Sequence, residues 1–146
     1  MTSGSSPRHI LLIDDDPSLT EPLREALELL AGYGVTVATD GQSGLRALFA
    51  QRPDCVVVDI RMPGIDGYQF IHAVRGDPDT AQIPLVVLSA LAQEENTLAG
   101  YLSGADAYLH KPVDLDDLLA AVDQAIALTA AQREERLRAL AADEGN

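Results

Sequence analysis

Asp14, Asp15, Asp59, Ser89 and Lys111 are the residues of this chain whose types suit concerted chemistry. Each stands at the end of a short apolar run. Ile10-Leu11-Leu12-Ile13 leads into Asp14 and Asp15, Val56-Val57-Val58 into Asp59, Ile83–Leu88 into Ser89, and Ala107–His110 into Lys111. Carboxylates gathered about 4 Å apart would repel by roughly 4 kcal/mol per pair at an effective dielectric near 20. A hard divalent cation with oxygen ligands offsets that repulsion, and an incomplete protein cage completed by waters suits Mg2+. Lys111 adds a compact positive charge for a second anion, and Ser89 a hydroxyl donor. Cation, lysine, hydroxyl and exposed carboxylate are the parts of phosphoryl transfer, where catalysis is mostly positioning and charge stabilisation. The carboxylate would be the nucleophile and an aspartyl phosphate the product. A lone Asp after a strand reads equally well as a turn cap; its recurrence at other strand ends favours chemistry.

These residues converge only if the runs are strands of one parallel sheet. The runs lack a polar face, as strands covered on both sides do. Between them lie helical patterns: Leu19, Leu23, Ala26, Leu27 and Leu30 after the Asp16-Pro17 start; Leu45, Leu48 and Phe49 after Asp40-Gly41; and Phe70, Ile71 and Val74 after Asp66. Val35–Ala38 supplies a short second strand, residues 94–103 a weakly amphipathic helix, and a long last helix begins near Asp114. Strand and helix alternate five times, which predicts an α/β fold with a doubly wound five-stranded parallel sheet. Open sheets of this kind bind their ligands outside the carboxyl ends of the strands.

The chain has 146 residues, enough for one core and too few for two ordinary domains. Its net charge of −13 argues against direct nucleic-acid binding, which draws on Lys and Arg at phosphates, and against an anionic membrane surface. No apolar run approaches the roughly 18 residues that cross a bilayer. Cys55 is the single cysteine, so no intrachain disulfide forms, and its place in an apolar strand suggests a core thiol. Residues 1–8 read as a disordered lead-in without the apolar stretch of a secretory signal, which leaves the cytoplasm as the expected location. Asp16 reads as a helix cap, and His72 and His110 as surface or edge residues.

Four ordered motifs resemble the receiver domain of two-component response regulators, of the chemotaxis-regulator type: Ile10–Asp16, Val58-Asp59-Ile60-Arg61-Met62-Pro63-Gly64-Ile65-Asp66-Gly67, Leu88-Ser89-Ala90, and Gly104–Pro112. The resemblance implies a flavodoxin-like (βα)5 fold with strand order 2-1-3-4-5 over residues 9–128. It implies Asp59 as the phosphoacceptor, and Asp15 and Asp59 as Mg2+ ligands with the backbone carbonyl of Arg61. Asp14 would act on the metal largely through water, Ser89 would hydrogen-bond the phosphoryl group, and Lys111 would pair with it. Tyr108 occupies the position of an aromatic switch, although a plain strand aromatic explains it as well. The expected partners are a sensor histidine kinase or phosphotransfer protein upstream and a responding protein downstream. The domain would assist its own Mg-dependent phosphorylation and dephosphorylation without being an enzyme. Val113 departs from the phenylalanine usual after Lys-Pro, and Arg61 and Leu91 fill the variable positions that tune dephosphorylation in the family.

Other readings exist. Asp14-Asp15-Asp16 contains the Asp-x-Asp spacing of haloacid-dehalogenase-like phosphatases, but that reading leaves Asp59 idle and lacks the distal acidic pair and cap segment. A phosphate-independent scaffold is disfavoured because every phosphorylation residue is present. Beyond residue 128 the helical pattern continues through Thr129–Ala142 within a C-terminal extension and tail at 129–146, and a continuous helix from Leu115 to Leu140 would be about 39 Å long. Leu119, Val122, Ile126, Ala130, Leu137 and Leu140 nearly form a heptad seam, broken by Arg133, which suggests a homodimer through that helix. The chain is expected to be either a stand-alone receiver or a fragment of a larger regulator.

Overall fold

The structure, a computed structural model, describes residues 8–62, 64–89, 104–128, 131–135, 138 and 139. The elements follow in the order β1 (His9–Ile13), α1 (Pro17–Ala31), β2 (Gly34–Ala38), α2 (Gly41–Gln51), β3 (Cys55–Asp59), α3 (Gly67–Gly76), β4 (Leu85–Ser89), β5 (Ala107–His110) and α4 (Leu115–Ala127). The expected helix at 94–103, the residue Leu91 and the lead-in at 1–7 lie outside the described residues. The five strands pair in parallel in the order β2-β1-β3-β4-β5, as the resemblance implied.

Side-chain alternation along each strand divides the core in two. Leu11, Ile13, Val56, Val58, Leu85 and Val87 face a cluster completed by Leu48 of α2 and by Phe70, Ile71 and Val74 of α3. Ile10, Leu12, Cys55, Val57, Val86 and Leu88 face the opposite cluster, completed by Leu23 and Leu27 of α1 and by Leu118 and Val122 of α4. Both faces are therefore covered, which is why β1, β3 and β4 carry almost no polar side chain before their last positions. Each fully buried Leu, Ile, Val or Phe contributes about 1.5–3 kcal/mol of transfer free energy.

Aspartates start four helices. Asp16 accepts from the Ser18 N–H at 3.0 Å, Asp40 from Ser43, and Asp114 from Asp116 and Asp117. Asp66 and Gln69 form a reciprocal capping box before α3. Pro22 lies inside α1, just after its first turn. At the C-terminal end of α1, Gly32 takes the left-handed conformation (φ 74°), and the helix closes with Gly32 N–H donating to Glu28 O and Tyr33 N–H to Leu27 O. Tyr33, just beyond, donates its hydroxyl to Asp123 and so ties α1 to α4. The seam residues Val122, Leu119 and Ile126 pack on the domain's own core.

The single long C-terminal helix is a correction. α4 ends at Ala127, and Leu128 is extended (ψ 133°). A separate helical turn covers 131–135, and within it Arg133 is buried at 4 % exposure against the base of the sheet. The arginine that interrupts the apolar seam is the residue that turns the chain inward. Ala130, Leu137 and Leu140 lie outside the described residues.

Candidate phosphoryl and metal site

Sheet register brings the chemical residues level with one another. Ile13 pairs with Val58, so Asp14 follows β1 at the height where Asp59 ends β3. Asp59 pairs with Leu88, and Ser89 with His110, so Ser89 lies one step beyond Asp59 on β4 and Lys111 one step further after β5. Backbone bonds fix the exits: Asp14 N–H donates to Ala38 O at 3.1 Å, Ile60 N–H to Leu88 O at 3.0 Å, and Lys111 N–H to Ser89 O at 2.7 Å. The chain then leaves each strand end without disturbing the sheet. After β3 it turns through Gly64, at φ 78°, in the left-handed region that glycine enters without steric cost. Gly67 opens α3 so close to Asp59 that a Cβ there would meet Ile60 Cα at 2.6 Å and Asp59 O at 2.9 Å.

Asp14, Asp15 and Asp59 each present a carboxylate oxygen, and the three lie within 4.8 Å of one another. Asp14 and Asp59 are buried (1 % and 5 % exposed), whereas Asp15 faces solvent. Lys111 bridges the buried pair, its Nζ 3.1 Å from Asp14 Oδ2 and 3.2 Å from Asp59 Oδ2. Asp14 Oδ1 also accepts from the Asp16 N–H at 3.0 Å, and Asp59 Oδ1 from the Arg61 N–H at 3.3 Å. Ser89 is 1 % exposed at the end of β4. Arg61 is exposed beside the site, and Tyr108 packs into the α2–α3 side of the core, 9 % exposed, with its ring edge-on to His110 at 5.7 Å.

The electrostatics are unbalanced. Burial and the neighbouring Asp14 charge raise the Asp59 carboxyl above the usual carboxylate range, and the opposing pull of Lys111 is too weak to reverse this. Burial lowers the Lys111 ammonium, but its hydrogen bond to Asp14 and the Asp59 charge outweigh that, so its affinity for the proton is raised overall. Lys111 contacts two of the three clustered carboxylates, and the surplus negative charge, clustered oxygens and one solvent-facing member are the donor set a hard divalent cation takes. All five residues picked from the sequence thus gather at one edge. Asp16, by contrast, caps α1, and His72 and His110 are exposed.

Against known proteins, the response regulator receiver domain matches residues 10–123. The chain belongs to the response regulator receiver family. It is 41 % identical over 113 residues to the DNA-binding dual master transcriptional regulator RpaA of Synechocystis, covering 77 % of this chain and 46 % of that protein. It is also 41 % identical over 122 residues to the transcriptional regulatory protein PrrA of Mycobacterium tuberculosis, covering 83 % and 50 %. The chain therefore spans about half the length of these relatives. Among solved structures, a response regulator from Chloroflexus aurantiacus superposes with a TM-score of 0.79 at 34 % identity, covering 84 % of this chain and all of that one. The receiver domain of sensor histidine kinase PA1611 from Pseudomonas aeruginosa, solved with magnesium coordinated in its active-site cleft, gives 0.76 at 28 % identity over 84 % of this chain and all of that one.

Sequence reasoning missed a second charged group, at the opposite end of the same strands. Asp106, just before β5, is 3 % exposed and accepts from the Leu85 N–H (2.8 Å), from Arg75 Nη2 (3.2 Å) and from Arg133 Nε (2.5 Å). Arg75 also donates to the carbonyls of Gly104, Ala81 and Ile83. The available signal was Arg133 itself, a charge at a seam position.

Proposed function

We propose that this receiver is a phosphorylation switch in which Asp59 takes a phosphoryl group from a phosphohistidine of a sensor kinase or phosphotransfer protein. An Asp59 Oδ attacks phosphorus in line, an acyl-phosphate O–P bond forms, the P–N bond breaks, and the histidine leaves with a proton from solvent. Asp14, Asp15, Asp59 and the Arg61 carbonyl would hold Mg2+, which neutralises charge on the phosphoryl oxygens when bound. Lys111 exchanges its Asp59 contact for a phosphoryl oxygen, and Ser89 donates its hydroxyl to another. The surrounding elements then change their partner surface, with Tyr108 at the edge of that change. Residues 9–128 carry this activity, and residues 129–146 extend it. The domain serves as substrate and co-catalyst of its own modification in the cytoplasm rather than as a turnover enzyme.

The observation that carries this reading is the Lys111 ammonium held between Asp14 and Asp59 beside a third carboxylate. A small acyl-phosphate donor with Mg2+ is expected to add ~80 Da to the wild-type chain, one phosphoryl unit. It should add nothing to Asp59→Asn, and chelation should abolish the uptake. Wild-type protein that stays unmodified, or Asp59→Asn protein that is modified equally, rejects the assignment. Turnover of a phosphate ester that needs Asp14 and survives loss of Asp59 would instead favour the haloacid-dehalogenase-like reading.

A further inference from the structure

The buried charge at the base of the sheet lies outside the phosphoryl site and, through Arg133, beyond the matched family region. Arg133 comes from the helical turn at 131–135, past the extended Leu128. Its Nε reaches Asp106 Oδ1, and its Nη1 donates to the Gln82 side chain at 3.1 Å and carbonyl at 3.3 Å. Here one carboxylate meets two guanidinium groups. Arg133 Nη2 is buried with no hydrogen-bond partner among the described residues. Docking is thus specific, and the unpartnered Nη2 offsets part of what the other bonds contribute.

Asp106 also connects the turn to the sheet. Its Oδ2 accepts from Leu85, the first residue of β4, whose last residue is Ser89. Its own backbone N–H donates to the Leu85 carbonyl at 2.7 Å, and β5 runs directly from it toward Lys111. Two strands of five and four residues join the carboxylate that holds Arg133 to the serine and lysine at the opposite edge. The docked geometry accompanies a Lys111 that contacts Asp59 directly, at 3.2 Å. The base is thus fitted to that arrangement of β4 and β5, with one guanidinium nitrogen short of partners.

We propose that residues 131–135 form a strap, anchored on Asp106 by Arg133 and docked while Asp59 is unmodified, that is released when a phosphoryl group draws in Ser89 and Lys111. The strap frees whatever follows it in the chain from the base of the domain. The coupling rests on the phosphorylation reading above, and linkage makes it reciprocal: loosening the strap favours the phosphoryl-bound arrangement.

Amide hydrogen exchange on the full chain tests this, with strap amides read against those of β3. Wild type and Arg133→Met are compared with and without Mg2+ and beryllofluoride, a phosphoryl mimic whose binding 19F NMR reports separately. In wild type the strap is expected to be protected, and Arg133→Met to cost it about tenfold or more while β3 is unchanged, as for a local opening. Bound beryllofluoride should lower strap protection in wild type and add little in Arg133→Met. Strap protection that survives Arg133→Met, or a β3 that loosens equally, overturns the strap. Protection that is unchanged or higher with beryllofluoride bound overturns the coupling alone. Absence of bound beryllofluoride overturns the phosphorylation reading, and the coupling with it.

Discussion

Asp59→Asn should stabilise the metal-free domain, although it removes the proposed phosphoacceptor. At 3.2 Å the Asp59–Lys111 attraction is worth about 5 kcal/mol at an effective dielectric near 20, with the separation taken from the structure. Repulsion from Asp14 and Asp15, at up to 4.8 Å, is about 3.5 kcal/mol each on the same scale. Repulsion therefore exceeds attraction by about 2 kcal/mol, before the cost of burying the carboxylate and before solvent weakens the share of exposed Asp15. Asparagine keeps the shape and an acceptor oxygen without the charge. A gain of ~1–2 kcal/mol follows, or about 3–10 °C in Tm for a domain of this size. The pH dependence has a definite sign. The folded Asp59 carboxyl is raised above its unfolded value, so its penalty is complete above the folded pKa and vanishes below the unfolded one. The advantage of Asp59→Asn should be full at pH 8 and shrink as pH falls through the raised value toward the unfolded carboxylate range. Mg2+ reverses the order: at a hundredfold excess over Kd it adds about 2.7 kcal/mol to a protein that binds it, and far less to the variant. Thermal denaturation in EDTA and in Mg2+ reads all of this. An Asp59→Asn variant less stable than wild type in EDTA, or an equal Mg2+ shift in both proteins, refutes the charge argument.

Lys111→Ala leaves the buried Asp14–Asp59 pair without its cation. It should cost about 3–5 kcal/mol in EDTA, as for a buried pair with one partner removed, with part of the loss recovered in Mg2+ by chemical denaturation. Gly67→Ala drives a methyl into Ile60 Cα and the Asp59 carbonyl. A loss of ~1–3 kcal/mol is expected, together with slower phosphoryl uptake because the clash lies on the nucleophile's own backbone. Cys55 is fully buried, and desolvation pushes its thiol well up, so an aromatic disulfide reagent should leave it unreacted until the domain unfolds. Rapid native-state labelling would contradict that burial.

The site was legible because strand ends are local features: an apolar run ending in Asp, Ser or Lys can be read without knowing what packs beside it. Parallel pairing then supplies the convergence, as the registers Ile13–Val58 and Ser89–His110 do. The helix starts were legible for the same reason, since Asp16, Asp40, Asp66 and Asp114 bond within three residues of themselves. The chain after Ala127 was not. Residues 131–142 favour helix, and propensity predicts continuation. What stops the helix and turns the next segment inward is a tertiary demand, the buried Asp106 carboxylate 27 residues away from Arg133 in sequence. Local preference carries no information about that partner. The break in the apolar seam marked a residue out of the heptad pattern without showing where the arginine would go.

The two ends of β4 and β5 hold opposite imbalances. At the phosphoryl edge three carboxylates share one ammonium, so the site carries surplus negative charge and gains from a dication. At the base two guanidinium groups share one carboxylate, and burial beside Arg133 lowers Arg75 to about 10 despite its bond to Asp106. Neither cluster is balanced by its own charges, and under the switch and strap proposed above each is relieved in its own way: by a cation at one end, by release of a guanidinium at the other. A fully paired cluster would resist any change, since breaking it leaves a charge buried. Two under-satisfied clusters joined by short, hydrogen-bonded strands, the buried β4 and its neighbour β5, make a fold that settling one end can shift at the other.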